Sequence, residues 1–249
     1  MFLLVDVGNS NIVFGLCDNN KLISSFRMKT LTNRSSDELV ILFKSMLGNH
    51  SFDGVLISSV VPVITSTLVK MFKTYYDINA LILGPGVKTG VMIKADNPRE
   101  VGADLICDVA GAALHHKESI IIDLGTATKY IYQKDNTFMG LSISPGVSIS
   151  MQALVNKAAL LPEFELQTPK TVLCNNTISC MQSGVIYGAA SQVDSMIDRI
   201  KEEIKNPNID IIATGGLASV IIPLCKHNIV IDKDLVLEGL MNIYLKNIK

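Results

Sequence analysis

Along this chain the spacing of apolar residues switches repeatedly between a period of two and a helical period. FLLVDV and IVFGLC are short apolar, β-prone runs joined by the turn-forming GNSN, and Asn19-Asn20 marks another turn before KLISSFRM. SSDELVILFKSML predicts a capped helix, with Ser36 as N-cap and Leu39, Leu42, Phe43 and Met46 on one face. GVLISSVV predicts a strand, ITSTLVKMFKTYY a helix, NALILGP a strand, and PREVGADLICDVAGAALHH a second amphipathic helix. The pattern then restarts. SIIIDLGTATKYIYQKDNTFMG gives an apolar strand, a DLGTAT turn, a second strand, the turn Asp135-Asn136 and another strand start. SISMQALVNKAAL and QSGVIYGAASQVDSMIDRIKEEIK predict helices, IDIIATGG a strand ending in glycines, and DLVLEGLMNIYLKN a closing helix.

The restart is a repeat. In one constant register Asp6 falls on Asp123, Gly8 on Gly125, Asn9 on Thr126 and Asn11 on Thr128. An apolar strand followed by Asp-x-Gly-polar-x-polar, opening two near-equal halves, predicts a duplication. Two copies are too few for a solenoid, so the expectation is two similar α/β lobes, residues 1–116 and 117–249.

Composition narrows the function classes. A formal net charge of −1 and no dense Lys/Arg run give no footprint for nucleic-acid binding. No stretch approaches the about 18 uninterrupted apolar residues of a membrane span, and MFLLVDVGNS lacks the basic start of a signal peptide. The expected location is the cytoplasm. The five cysteines, Cys17, Cys107, Cys174, Cys180 and Cys225, contain no CxxC pair and read as reduced thiols. His115 and His116 end an apparent helix, where imidazolium suits the carbonyl end of the dipole.

The repeated corner carries the candidate chemistry. Glycine lets a backbone approach phosphate oxygens, exposed N–H groups and short polar side chains donate to them, and the leading carboxylate can hold hydrated Mg²⁺. One DVGNSN turn is weak evidence of this, since Asp-x-Gly with Asn is common in hairpins. Two such turns from two lobes are what a cleft gripping a triphosphate from both sides needs. IDIIATGGLASVI adds a strand running into Thr214-Gly215-Gly216 at a helix start, a further place for phosphates or a flat ligand near the backbone.

The ordered set DVGNSN, NPREVGAD, IIDLGTAT, ISPG followed by ALVNKAALLPEFE, NNTISCMQSGVIYG and ATGGLA resembles the type III pantothenate kinases across nearly the whole chain. These enzymes belong to the superfamily of acetate kinase, sugar kinases, the heat-shock 70 ATPase and actin. The resemblance implies a duplicated ribonuclease H-like (actin-like ATPase) fold with a cleft between the lobes. It implies phosphorylation of pantothenate by ATP, the first step towards coenzyme A, with Mg²⁺ and a monovalent cation, potassium or ammonium. It also implies a homodimer with the acceptor pocket near its interface.

Roles follow residue by residue. Asp6, Val7, Gly8, Asn9, Ser10, Asn11, Ile12 and Val13 would form the first phosphate loop, with Asp6 near Mg²⁺. Asp123 would bind the monovalent cation, Thr126 would contact ATP, and Thr214, Gly215 and Gly216 would lie by the adenosine. Gly102, Ala103, Asp104 and Leu105 would line the pantothenate pocket together with Thr177, and Asp104 would be the catalytic base. A positioned carboxylate can accept the proton of an alcohol as the O–P bond forms; phosphoryl transfer otherwise needs mainly positioning and charge neutralisation.

Departures from the family pattern cluster around the acceptor. Leu105 stands where Arg is usual after Gly-Ala-Asp, Ala95 where a Tyr is usual, Lys129 where a second Thr follows DxGTAT, and Gly140-Leu141 where Gly-Gly precedes I-x-P-G. Arg offers a carboxylate a planar fork and Leu offers nothing. A second reading therefore stands beside the kinase: a nucleotide-binding relative of the same fold with a changed acceptor or no turnover, serving as a regulatory or partner-binding module. A polyphosphate- or nucleotide-hydrolysing relative is a third.

Overall fold

The computed structural model describes residues 1–48, 50–158 and 161–248; the end of the helix expected over SISMQALVNKAAL falls partly outside them. The elements in chain order are β1 (Phe2–Val7), β2 (Asn11–Asp18), β3 (Lys21–Lys29), α1 (Ser36–Leu47), β4 (Gly54–Ser59), α2 (Pro62–Tyr76), β5 (Leu81–Ile82), β6 (Met92–Ile93) and α3 (Ala103–Ala112). They continue with β7 (Glu118–Leu124), β8 (Ala127–Lys134), β9 (Thr137–Pro145), α4 (Val147–Lys157), α5 (Thr177–Ile204), β10 (Asp210–Thr214), α6 (Ala218–Ile221), β11 (Val230–Ile231) and α7 (Leu235–Leu245).

The chain divides into two compact units. The first holds Met1–His115, Asn136–Phe138 and the segment from Asp234; the second holds His116–Asp135 and Met139–Lys233. This division differs from a single break between residues 116 and 117, because α7 belongs to the first unit. The apolar face of α7, Leu237, Leu240, Ile243 and Tyr244, joins Phe2, Leu4 and Leu56 in one core cluster, and Tyr244 stacks on Phe2 with ring centroids 4.4 Å apart. Burying that much aliphatic and aromatic surface fixes where a helix docks, whatever its place in the sequence.

The two sheets share one core order. The first runs β3-β2-β1-β4-β5, and the six-stranded second contains the matching run β9-β8-β7-β10-β11, with β6 beyond β9. Both central strands, β1 and β7, pair antiparallel with the next strand and parallel with β4 and β10 respectively. The duplication seen in the sequence is therefore a duplication of topology, with one correction to the register. The first corner has three residues, 8–10, between its strands, and the second has two, 125–126. Consequently Thr128, opposite Leu124, matches Ile12, opposite Val7, and not Asn11.

One face of the first sheet carries a cluster of Leu3, Val5, Phe14 and Ile57 packed against Leu39, Phe43, Leu68 and Phe72 of α1 and α2. In the second unit Ile120, Ile122, Tyr130 and Ile211 pack with Ile186, Val193 and Ile197 of the 28-residue α5. The N-cap of α1 is Ser35, one residue before the expected Ser36. Ser35 accepts from the Glu38 backbone N–H at 3.2 Å while the Ser35 N–H donates to Glu38 Oε2 at 2.8 Å. Ser36 is buried instead. Ser35→Ala is expected to lower stability by about 1 kcal/mol, read as a shift in urea midpoint with unchanged slope; Ser36 would show the larger loss if it were the cap.

Candidate functional site

In the first unit Asp6 sits at the end of β1, beside Ser58 of the parallel strand β4, whose hydroxyl donates to Asp6 Oδ1 at 3.0 Å. The turn that follows is fixed by its own backbone: Gly8 N–H donates to Asn11 O at 3.0 Å, and Thr30 donates from its hydroxyl to Gly8 O at 2.7 Å and from its N–H to Ser10 O at 3.0 Å. This leaves Asn9, Ser10 and Asn11 exposed at the tip of the turn. Val7 and Ile12 from the same expected loop point into the core, at 1% and 0% exposure, so their side chains hold the turn and present no surface.

The residues expected to line the acceptor pocket, Gly102–Leu105, lie in the same unit. Asn97 caps a 3₁₀ turn at Pro98–Glu100, accepting from Arg99 N–H at 3.3 Å and donating to Glu100 Oε1 at 2.7 Å. The chain then enters α3 with Gly102 as N-cap and Asp104 in the first turn, where a negative side chain is favoured by the helix dipole. Gly102 has a specific reason to be glycine: a Cβ there would overlap Asp104 Oδ1, which lies back over it. Leu105, expected to line the acceptor pocket, is buried and offers a ligand almost no surface.

Cys107, one turn further along α3, reports how close these groups are. Burial pushes its thiol well above the ordinary cysteine range, the negative charge of Asp6 adds to this, and Asp108 and Asp104 do so more weakly, against a hydrogen bond with Ser58. Asp6, with its Ser58 hydrogen bond, and more weakly Asp104 thus both act on this buried thiol of the first unit. The thiol is held in its neutral form, which is the poorer nucleophile.

The second unit builds a tighter corner. Asp123 near the end of β7 lies directly across from Lys129 of β8, and Lys129 Nζ is 2.7 Å from Asp123 Oδ2. Both side chains are largely buried, at 14% and 17% exposure. Two glycines run close to the other carboxylate oxygen. A Cβ at Gly215 (φ +94°) would lie 2.7 Å from Asp123 Oδ1, and one at Gly125 3.2 Å from it. Thr214 is buried beside Asp123 on the parallel strand β10, whereas Gly216 is exposed. Gly146, the N-cap of α4, meets the Thr126 carbonyl so closely that a Cβ would overlap it.

Thr177, the first residue of α5, is exposed and belongs to the second unit, whereas Gly102–Leu105 belong to the first. It lines an open groove of about 970 Å³ between α4 and α5, with Val147, Leu154, Met181 and Val185. No motif in the sequence marks this groove. Its weaker signal is the i, i+4 pair Gly184 and Gly188, which have no neighbour within 4 Å of a Cβ and leave one face of α5 open.

A family model described as type III pantothenate kinase matches residues 2–199. The type III pantothenate kinase of Acholeplasma laidlawii is 45% identical over 249 residues, covering 100% of both chains. The chain belongs to the type III pantothenate kinase family. Solved structures agree on the fold alone. The inorganic polyphosphate/ATP-glucomannokinase of Arthrobacter sp. superposes with a TM-score of 0.51 at 13% identity over 99% of each chain. The (R)-2-hydroxyglutaryl-CoA dehydratase component A of Acidaminococcus fermentans gives 0.54 at 13% identity, over 98% of this chain and 96% of that one. Both have the duplicated actin-like ATPase fold. Full-length similarity to pantothenate kinases does not favour the non-catalytic alternative.

Proposed function

We propose that this chain transfers the γ-phosphoryl group of ATP to the hydroxyl of pantothenate, with the following residues in the following roles. Asp104 accepts the proton of the acceptor hydroxyl as its oxygen bonds to phosphorus and the bond to the ADP oxygen breaks. Asn9, Ser10 and Asn11 hold phosphate oxygens, and Asp6 faces the metal of the nucleotide. In the second unit Thr126 contacts ATP, and Thr214, Gly215 and Gly216 lie by the adenosine. The observation that carries this reading is the full-length similarity to type III pantothenate kinases. That the charges of Asp6 and, more weakly, Asp104 both reach the Cys107 thiol agrees with a donor and an acceptor meeting at one point.

The residues fit Mg²⁺. Mg²⁺ is held by one or two carboxylates, with water and phosphate completing its shell, and Asp6 with Asp104 nearby offers that chemistry. Among the described residues no group of three His, Cys, Asp or Glu forms a closed protein cage, which suits an ion arriving with the nucleotide. Bound there, it would neutralise phosphate charge. A soluble monovalent cation fits poorly at Asp123, because the Lys129 ammonium already lies 2.7 Å from one carboxylate oxygen and repels a second cation.

Pantothenate as acceptor, a homodimer and a cytoplasmic location belong to the same proposal. Among the described residues no helix is long and apolar enough to cross a membrane. The test is ATP consumption with and without pantothenate, with the product identified by mass spectrometry. Pantothenate-dependent ADP release together with 4′-phosphopantothenate is expected. Equal ATP consumption in both reactions would leave a hydrolase, and none in either would leave a non-catalytic relative.

A further inference from the structure

The second corner contains a built-in positive charge, and on the kinase reading above it has a use. We infer that the Lys129 ammonium is the fixed monovalent cation of the nucleotide site, so that this chain needs no potassium or ammonium from solution.

The internal repeat supplies the first argument. Lys129 pairs across the strands with Asp123, and the residue in the same position of the first unit, opposite Asp6, is Val13. One sheet topology thus accepts an apolar residue there in one copy and a lysine in the other. The lysine is not demanded by the fold. Its charge is held at 17% exposure by a carboxylate at 2.7 Å, an arrangement that requires good pairing once both groups leave water.

The second argument is space and charge. Asp123 Oδ2 carries Nζ, and Gly125 and Gly215 run close to Oδ1, where an added Cβ would lie 3.2 and 2.7 Å from it. A second cation would have to displace a tethered one or sit beside it against like-charge repulsion. A primary ammonium carries the charge of a free ammonium ion and keeps three of its four N–H donors. Tethered to β8, it stands within the corner that also holds Thr126, without loss of freedom on each binding event.

Two variants and three buffers test this. ATP affinity by calorimetry, and pantothenate-dependent ADP release, are measured in potassium, ammonium and tetramethylammonium salts of equal ionic strength. The wild type is expected to give the same values in all three. Lys129→Thr, which removes the charge, is expected to bind ATP at least roughly tenfold more weakly in tetramethylammonium and to recover in potassium or ammonium. Lys129→Arg, which keeps the charge, is expected to stay independent of the cation. The inference is overturned if the wild type loses ATP affinity or turnover in tetramethylammonium. It is equally overturned if Lys129→Thr binds ATP in tetramethylammonium as the wild type does, which would leave the ion pair a purely structural one. Should Lys129→Thr fail to fold, the wild-type cation series and Lys129→Arg decide. If no buffer supports pantothenate-dependent ADP release, the kinase reading fails, yet the ATP affinities still decide the role of Lys129. Absence of ATP binding in every buffer overturns both.

Discussion

Asp104→Asn is expected to lower kcat by about 10²–10⁴-fold, the usual contribution of a positioned general base, while ATP affinity stays close to that of the wild type. The amide matches the carboxylate in shape, so the helix start and the close approach of this side chain to Gly102 survive the change. What it loses is the capacity to accept a proton. The acceptor hydroxyl then meets phosphorus without a partner for its proton, and the loss falls on the chemical step. A fall in kcat and kcat/KM together, with KM for ATP unchanged, is the signature of an interaction made only in the transition state. Full activity in Asp104→Asn would move the base elsewhere, with Asp6 next in line. Calorimetric titration of ATP into the variant separates this outcome from misfolding, because a misplaced α3 would also disturb the neighbourhood of Asp6.

Gly239→Val is expected to destabilise the protein by about 3 kcal/mol or more, at the upper end of overpacking costs. Gly111 on α3 and Gly239 on α7 allow these helices to touch backbone to backbone. A Cβ at Gly239 would overlap the Cys107 carbonyl, and one at Gly111 would overlap the Leu235 carbonyl. The atoms met are main chain, so no rotamer change can relieve the clash. By contrast, Gly184→Ala on the open face of α5, where no heavy atom lies within 4 Å of the new Cβ, is expected to stabilise by about 0.5–1 kcal/mol through helix propensity. Urea denaturation of the two variants therefore gives opposite signs for glycines that both occupy helix interiors. A milder loss in Gly239→Val than in an ordinary surface substitution would mean that α3 and α7 are not packed this closely. Because α3 carries Asp104 in its first turn, the same change should also lower kcat in whatever fraction remains folded.

The sequence by itself determined what depends on short stretches of chain. The Asp-x-Gly corners are legible because a strand, a tight turn and a strand lie within one short stretch, Phe2–Asp18 and again Glu118–Lys134, and their recurrence exposed the duplicated sheet. The family motifs gave the kinase relationship for the same reason: each is a few residues long and they keep their order. Helix existence was equally local, since the apolar spacing of α1, α2 and α5 follows from 3.6 residues per turn.

Only the tertiary structure decided what depends on residues far apart. The difference of one residue in turn length between the two corners moved the second strand's partners, so that Thr128 answers to Ile12, and placed Lys129 opposite Asp123. A lysine on a strand can face either side, and the pairing register chooses. The docking of α7 in the first unit rests on Leu237, Leu240 and Tyr244 finding Phe2, Leu4 and Leu56 across most of the chain's length. Gly111 and Gly239, weak helix formers in the sequence, are explained only by the carbonyls that press against them. In each case the deciding energy is a contact between distant segments, and no local spacing of residues carries it.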